Sequence, residues 1–237
     1  MRRAPQAVTP PPQPIGDMVI TPRSLADYRD MFLLDDDLLG GPILDCPGGA
    51  SPFGAQVRAR GGIVVSVDPA YHQPLEVLVA RVRADLERTA AWMAANPTNF
   101  DWSYLGSPRA VNRAFELAAE LFATDYAPDG RRYVAASLPR LPFGDGWFRL
   151  TLSSHLLFLY PEHLDFDGHV TSLLELVRVT SGELRVYPLV DTVGRPYPRL
   201  AQVRDALADQ GVDSELRTAR CAWQPGGDLL LACWRRR

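Results

Sequence analysis

Lysine is absent from this 237-residue chain; all 25 basic side chains are arginine. Coding in a GC-rich genome accounts for that bias, and no binding function follows from it. Positive charge is not in surplus either. The formal net charge of −3 supplies no general attraction to nucleic acid or to an anionic membrane. Cysteine is scarce: Cys46, Cys221 and Cys233 are three in number, an odd count without metal-ligand spacing, which excludes a disulfide framework and suits a reducing cytoplasm. Long apolar runs are lacking too. The stretch Leu229 to Trp234 falls far short of the ~20 residues that cross a bilayer. Met1-Arg2-Arg3 and the alanine and proline after it do not form the apolar core of a secretory signal. No internal repeat is visible. A cytoplasmic protein that engages neither membrane nor nucleic acid is the expectation.

What is present is ordinary globular material, 46% hydrophobic and 22% charged, enough for one large domain with a real core. Residues 1–16, with Pro10-Pro11-Pro12 and Pro14, cannot bury enough apolar surface to fold and are expected to be a disordered tail; 17–237 form the domain. Ser24 is placed to cap a helix carrying Leu25, Tyr28 and Phe32. Pro74 opens a long helix with Leu75, Leu78, Val79, Val82 and Leu86 at helical spacing, closed before Asn96-Pro97. Ser107-Pro108 starts another, with Val111, Phe115, Ala118 and Phe122 on one face.

Strands are expected at Pro42 to Asp45, Ile63 to Val67, Arg132 to Ala136, Phe148 to Leu152 and Glu183 to Leu189. A short helix at Ala55 to Arg60 follows the first. Another runs through Val170, Leu173, Leu174 and Val177, and a last one from Pro198 to Ala208. Leu216 to Trp223 and Asp228 to Trp234, joined by Pro225-Gly226-Gly227, read as an antiparallel pair. Five parallel strands closed by that pair make a Rossmann-like, doubly wound α/β sheet. About 60 residues separate Tyr71 from Gly130, where one helix would do. The surplus, about 72–130, reads as a helical insertion near the mouth of the pocket.

The most informative stretch is Pro42-Ile43-Leu44-Asp45-Cys46-Pro47-Gly48-Gly49-Ala50-Ser51, followed at Ile63-Val64-Val65-Ser66-Val67-Asp68. A strand ends in an acid, a glycine-containing turn leads to a helix, and a second strand also ends in an acid. Open α/β sheets bind ligands at this carboxyl edge. Glycine lets backbone N–H groups come close to the ligand, and the second acid can accept from both hydroxyls of a ribose. Capping of the next turn is the alternative reading of Asp68.

With Ala136-Ser137-Leu138-Pro139-Arg140-Leu141-Pro142-Phe143 and Asp145-Gly146-Trp147-Phe148-Arg149-Leu150 downstream, the chain resembles the class I S-adenosylmethionine-dependent methyltransferases of the type 11 kind, from about Ser24 to Trp234. The resemblance implies S-adenosylmethionine as cofactor. Its methionine end would lie at Pro47, Gly48 and Gly49, with Asp45 holding the ammonium directly or through water. The ribose would lie on Asp68 and the adenine beside Ser137 and Leu138, with Ser154 completing the set.

Two departures from the family pattern stand out. Pro47 and Ser51 replace two of its three turn glycines, and Arg149 replaces an acid. They leave open a non-catalytic, regulatory protein on the same fold. A nicotinamide-dependent oxidoreductase is disfavoured, because Gly48, Gly49 and Gly54 do not make G-x-G-x-x-G.

Ser153-Ser154-His155 ends the fourth strand, where the family meets its acceptor. His155 could take a proton from an acceptor hydroxyl or amine, with Tyr160 orienting the same group; packing alone is an equal account of His155. Tyr71, Phe100, Trp102 and Tyr104 could line an acceptor pocket but suit an aromatic core better. His163, Asp165, Asp167 and His169 look like a metal cluster but read as loop and helix-start residues, Asp167 as the cap. The expected acceptor is a small molecule; neither its identity nor the oligomeric state is legible.

Overall fold

A computed structural model describes residues 14–236; most of the expected tail, and Arg237, lie outside the described residues. Seven strands form one sheet: β1 Pro42–Asp45, β2 Ile63–Val67, β3 Tyr133–Val134, β4 Phe148–Ser154, β5 Thr180–Tyr187, β6 Val212–Thr218 and β7 Leu229–Arg235. Their spatial order is β3-β2-β1-β4-β5-β7-β6. The first five pair in parallel and β7 runs antiparallel to both β5 and β6, as the resemblance implies.

Alternation along the strands explains the layering. Ile43 packs with Leu25, Tyr28, Phe32 and Phe53, from helices α1 (Leu25–Phe32) and α2 (Phe53–Arg58). Its neighbour Leu44 packs with Leu173, Leu176, Val203 and Leu207, from α6 (Phe166–Arg178) and α7 (Leu200–Asp209), on the other face. Such a sheet, buried on both sides, needs the near-continuous apolar runs seen in β1 and β2.

Several boundaries differ from expectation, each for a local reason. Ser24 does cap α1, accepting from the Asp27 N–H in a full capping box. The cap of α6, however, is Asp165, whose carboxylate accepts from the Gly168 N–H, and not Asp167. α2 starts two residues early, and α7 begins at Leu200 rather than Pro198. β3 is only Tyr133–Val134, since Ser137 turns back to bridge Arg140. β5 starts at Thr180 and ends at Tyr187. β6 occupies Val212–Thr218 instead of Leu216 to Trp223. It is an edge strand in which only Val212 is buried, so neither face carries an apolar signal.

The segment expected as a helical insertion packs against the rest of the domain. Helix α3 (Leu75–Ala95) and a short α4 (Trp102–Leu105) precede α5 (Pro108–Asp125). Phe122 of α5 is buried among Tyr71, Tyr126 and Tyr133, and Phe115 stacks on Trp223 at 5.7 Å. The Asp125 carboxylate pairs with Arg58 of α2 and accepts from the Tyr133 hydroxyl at 2.7 Å. α5 is therefore part of the core.

Candidate functional site

The carboxyl ends of β1, β2, β3 and β4 surround a cavity of 440 Å³, within the range of small-molecule sites. Pro47, Gly48, Gly49, Asp68, Ser137, Leu138, Ser154, His155 and Tyr160 all line it. Nine of the ten positions singled out from the sequence thus converge on one space.

The turn after β1 is tied to β2. The Gly48 N–H donates to Val67 O at 2.8 Å, the Gly49 N–H to Asp68 Oδ2 at 3.1 Å, and the Tyr71 hydroxyl to Gly49 O at 2.8 Å. Only glycine fits at 48: a Cβ there would lie 2.8 Å from Ser66 Cβ and closer still to the Tyr71 hydroxyl. Gly49 has φ +52°, a region that costs other residues. Tyr71 is thereby a wall of the core that holds the turn.

Asp68 also accepts from the Ala70 N–H at 2.9 Å, capping a short 3-10 turn at Pro69–His72. Capping and ligand binding are compatible here. A carboxylate has about four lone-pair sites, and two are taken. Burial raises its pKa, opposed by the two backbone N–H groups and by Arg81, which also lines the cavity.

Asp45 is the exception. It is wholly buried and lines no cavity wall. Its carboxylate accepts from Tyr28 Oη at 2.7 Å and from Ser66 Oγ at 3.5 Å. Burial pushes its pKa up to about 7, against the Tyr28 hydrogen bond and with the help of Asp68. Tyr28, which holds Asp45, lines the cavity, and Asp45 itself does not.

His155 follows β4 with φ 52°, a left-handed conformation that histidine adopts more readily than most residues. Its Nδ1 lies 2.8 Å from Ser154 Oγ, and its Nε2 has no partner. The ring is edge-on to Tyr187 at 5.5 Å and to Trp223 at 5.8 Å. Burial, and then Arg23, hold its pKa well below the usual imidazole range, so the neutral ring is the working form at pH 7. The Tyr160 hydroxyl accepts from the Val19 N–H at 3.3 Å, which fixes it within the wall.

Arg149 lies at the other end of the sheet, packed over Gly41 and donating to Asp37 O at 3.1 Å. It touches no part of the cavity, so its departure from the family pattern does not bear on the site. Among the described residues no group of His, Cys, Asp and Glu could hold a metal, and no helix is long and apolar enough to cross a membrane. His169 is buried, with Nδ1 2.7 Å from Asp165 O, between Phe158 and Tyr197.

Sequence reasoning missed the segment Met18 to Thr21 and Arg23, which line the cavity. It also missed a second, smaller cavity of 50 Å³, walled by Met93, Phe100, Phe115, Trp223 and Gln224 and sharing Arg23, His155 and Tyr160 with the first. Only the Ser24 cap marked the neighbourhood of Arg23.

No family model matches the chain. It is 30% identical over 183 residues to the uncharacterized protein MJ0045 of Methanocaldococcus jannaschii, covering 76% of this chain and 81% of that protein. Among solved structures, magnesium protoporphyrin IX methyltransferase of Synechocystis with bound S-adenosylmethionine matches 86% of this chain and 73% of its own, with TM-score 0.45 and 12% identity. The 1,6-didemethyltoxoflavin N1-methyltransferase of Burkholderia thailandensis, with bound S-adenosylhomocysteine, matches 84% and 72%, with TM-score 0.44 and 15% identity. A Haloferax volcanii methyltransferase in complex with the Trm112 activator matches 90% and 86%, with TM-score 0.45 and 14% identity.

Proposed function

Since this chain belongs to one family with MJ0045 of M. jannaschii and has the class I methyltransferase sheet order, we propose that it is an S-adenosylmethionine-dependent methyltransferase acting on an O or N atom of a small molecule. The observation that carries this reading is the meeting of Asp68 and the Gly48-Gly49 turn with Ser137-Leu138 and Ser154-His155 around one cavity.

The residues fit that cofactor. Asp68 keeps two acceptor sites for the ribose hydroxyls. The absence of side chains at 48 and 49 lets the backbone approach the methionine end. Ser137 can accept from the adenine amino group, and Leu138 and Leu156 give apolar cover. Asp45 acts through Tyr28, as an anchor of the cavity floor. When bound, the cofactor supplies a methyl carbon made electrophilic by its sulfonium.

The protein's share is mainly positioning, since holding reactants in line can supply much of a transfer rate. With Nδ1–H donating to Ser154 Oγ, the unpartnered His155 Nε2 is the atom that takes a proton from an acceptor hydroxyl or amine. Isothermal titration with S-adenosylmethionine, S-adenosylhomocysteine and NAD tests the reading. The first two should bind saturably and NAD should not; the reverse pattern would replace the transferase with an oxidoreductase.

A further inference from the structure

Arg23 is 8% exposed, yet its guanidinium has no carboxylate partner among the described residues. Its one hydrogen bond runs from Nη1 to Thr21 Oγ1 at 2.6 Å, and its buried Nε has none. The cation lies 4.6 Å from the Trp223 ring and 5.8 Å from that of Phe115. Contact with aromatic faces offsets part of the cost of burial. A buried charge nevertheless calls for a hydrogen-bonded counterion. Burial pushes the Arg23 pKa down, and Asp27 only partly opposes it.

The surroundings share this deficit. Trp223 Nε1 and Gln224 Oε1 are buried without partners, and both residues line the 50 Å³ chamber that Arg23 and His155 also line. By volume the chamber holds a few waters, which is also the room a carboxylate needs. An indole N–H can only donate, a guanidinium can only donate, and the Gln224 amide can be turned to present its NH₂. Unpaired donors at Arg23 Nε and Trp223 Nε1, with the open Nε2 of His155 beside them, describe a site for a carboxylate that also carries a group with a proton to give up.

Resting on the methyltransferase reading, we propose that Arg23 and Trp223 hold the carboxylate of the methyl acceptor, which is therefore a small hydroxy- or amino-carboxylic acid. Its nucleophilic O or N then lies toward His155, which borders both cavities. The cofactor's own carboxylate is the other possible source of such a group. The geometry favours the acceptor: no residue of the Pro47-Gly48-Gly49 turn lines the chamber, and the guanidinium is stacked toward Trp223 and Phe115.

The test uses the full-length protein and two probes of one shape, benzoate and the uncharged benzamide. Affinity for S-adenosylhomocysteine is measured first, by titration, on wild type and on Arg23→Gln. Each probe is then titrated with and without S-adenosylhomocysteine and followed by tryptophan fluorescence. Wild type should bind benzoate at least 10-fold more tightly than benzamide. Arg23→Gln should lose that preference while its affinity for S-adenosylhomocysteine stays within about twofold of wild type. Trp223→Phe, which removes the N–H donor and trims the ring that Arg23 and Phe115 pack on, should weaken benzoate several-fold when followed by calorimetry. Arg23→Lys keeps the charge and should retain part of the preference, which decides the matter should the Gln variant misfold.

Equal binding of the two probes by wild type would overturn the proposal. So would a loss of S-adenosylhomocysteine affinity in Arg23→Gln, which would assign the guanidinium to the cofactor's carboxylate. Failure of wild type to bind S-adenosylhomocysteine would instead remove the methyltransferase reading, and the acceptor assignment with it; benzoate selectivity without S-adenosylhomocysteine would then still report an anion site.

Discussion

The Tyr28 hydroxyl donates a 2.7 Å hydrogen bond to Asp45 Oδ1, joining α1 to the end of β1 directly beneath the glycine turn. The pair is buried on both sides, with Tyr28 stacked on Phe53 at 4.2 Å. Burial raises both pKa values, that of Asp45 to about 7. Tyr28 is therefore a protonated donor throughout the physiological range, and the floor of the cavity depends on a carboxyl that prefers its proton.

That preference sets a pH dependence. The unfolded chain releases the Asp45 proton near 3.8 and the folded chain near 7. Folding is thus favoured by this group at low pH, and the advantage is lost as pH rises through that window. Asp45→Asn keeps an acceptor for Tyr28 and removes the titration. Relative to wild type, the variant should gain stability from pH 4 to 7 and level off above, by at most about 4 kcal/mol at 1.36 kcal/mol per pKa unit. Urea unfolding of both proteins across that range measures the difference; a difference that stays flat with pH would show that Asp45 is ionised in the fold.

Asp68 serves the fold and the ligand at once, so its variants should separate the two. Asp68→Ala removes the acceptor for the Ala70 and Gly49 N–H groups and should cost about 1 kcal/mol, as for a lost helix cap. S-adenosylhomocysteine at 100 times its Kd should stabilise wild type by about 2.7 kcal/mol, and Asp68→Ala should lose most of that. Asp68→Asn, which keeps the cap, should fall between them. Melting temperatures with and without ligand give both effects; an undiminished ligand shift in Asp68→Ala would place the ribose elsewhere.

Helix α5 is expected to behave as core. Phe122→Ala, in the cluster with Tyr71, Tyr126 and Tyr133, should cost about 3–5 kcal/mol, and deleting about 100–125 should prevent folding. A folded deletion variant, seen by circular dichroism and a cooperative melt, would restore the idea of a separable insertion.

Much of this was legible because β1, β2, α1, α3 and α5 carry local signals that agree with their tertiary roles: alternating burial, a Ser cap with its Asp partner, a Pro start. The site residues were legible for the same reason, since strand ends in an open α/β sheet point to one edge. What stayed hidden depends on contacts distant in sequence. That Tyr28, and not Asp45, lines the cavity shows only in the fold. Arg149 reads as a damaged site residue until the parallel pairing of β4 with β1 puts it at the far end of the sheet. Arg23 and Trp223 are 200 residues apart and meet only through the packing of α5 against the last connection before β7. The edge strand β6 was misplaced because only Val212 of it is buried.

His155 gives the sharpest test of chemistry. Its ring is buried between Tyr187 and Trp223 and beside Arg23, so its folded-state pKa lies well below the usual imidazole value of 6.5. The unfolded chain takes up a proton there as pH falls through 6.5 and the folded chain does not; the stability this group contributes is complete above 6.5 and is lost as pH drops below it. Catalysis should follow the folded-state value. If Nε2 accepts the acceptor's proton, turnover should stay level through pH 6.5 and decline only at lower pH, where the buried ring is finally protonated. His155→Asn suits the test, because asparagine also tolerates the left-handed backbone at φ 52° and the fold is spared. Turnover of His155→Asn should fall by about 10²- to 10⁴-fold, the usual contribution of a general base, with its low-pH limb abolished. With the acceptor identified by screening hydroxy- and amino-carboxylates against labelled cofactor, near wild-type turnover and an unchanged profile in a folded variant would remove the base and leave alignment of the reactants to account for the rate.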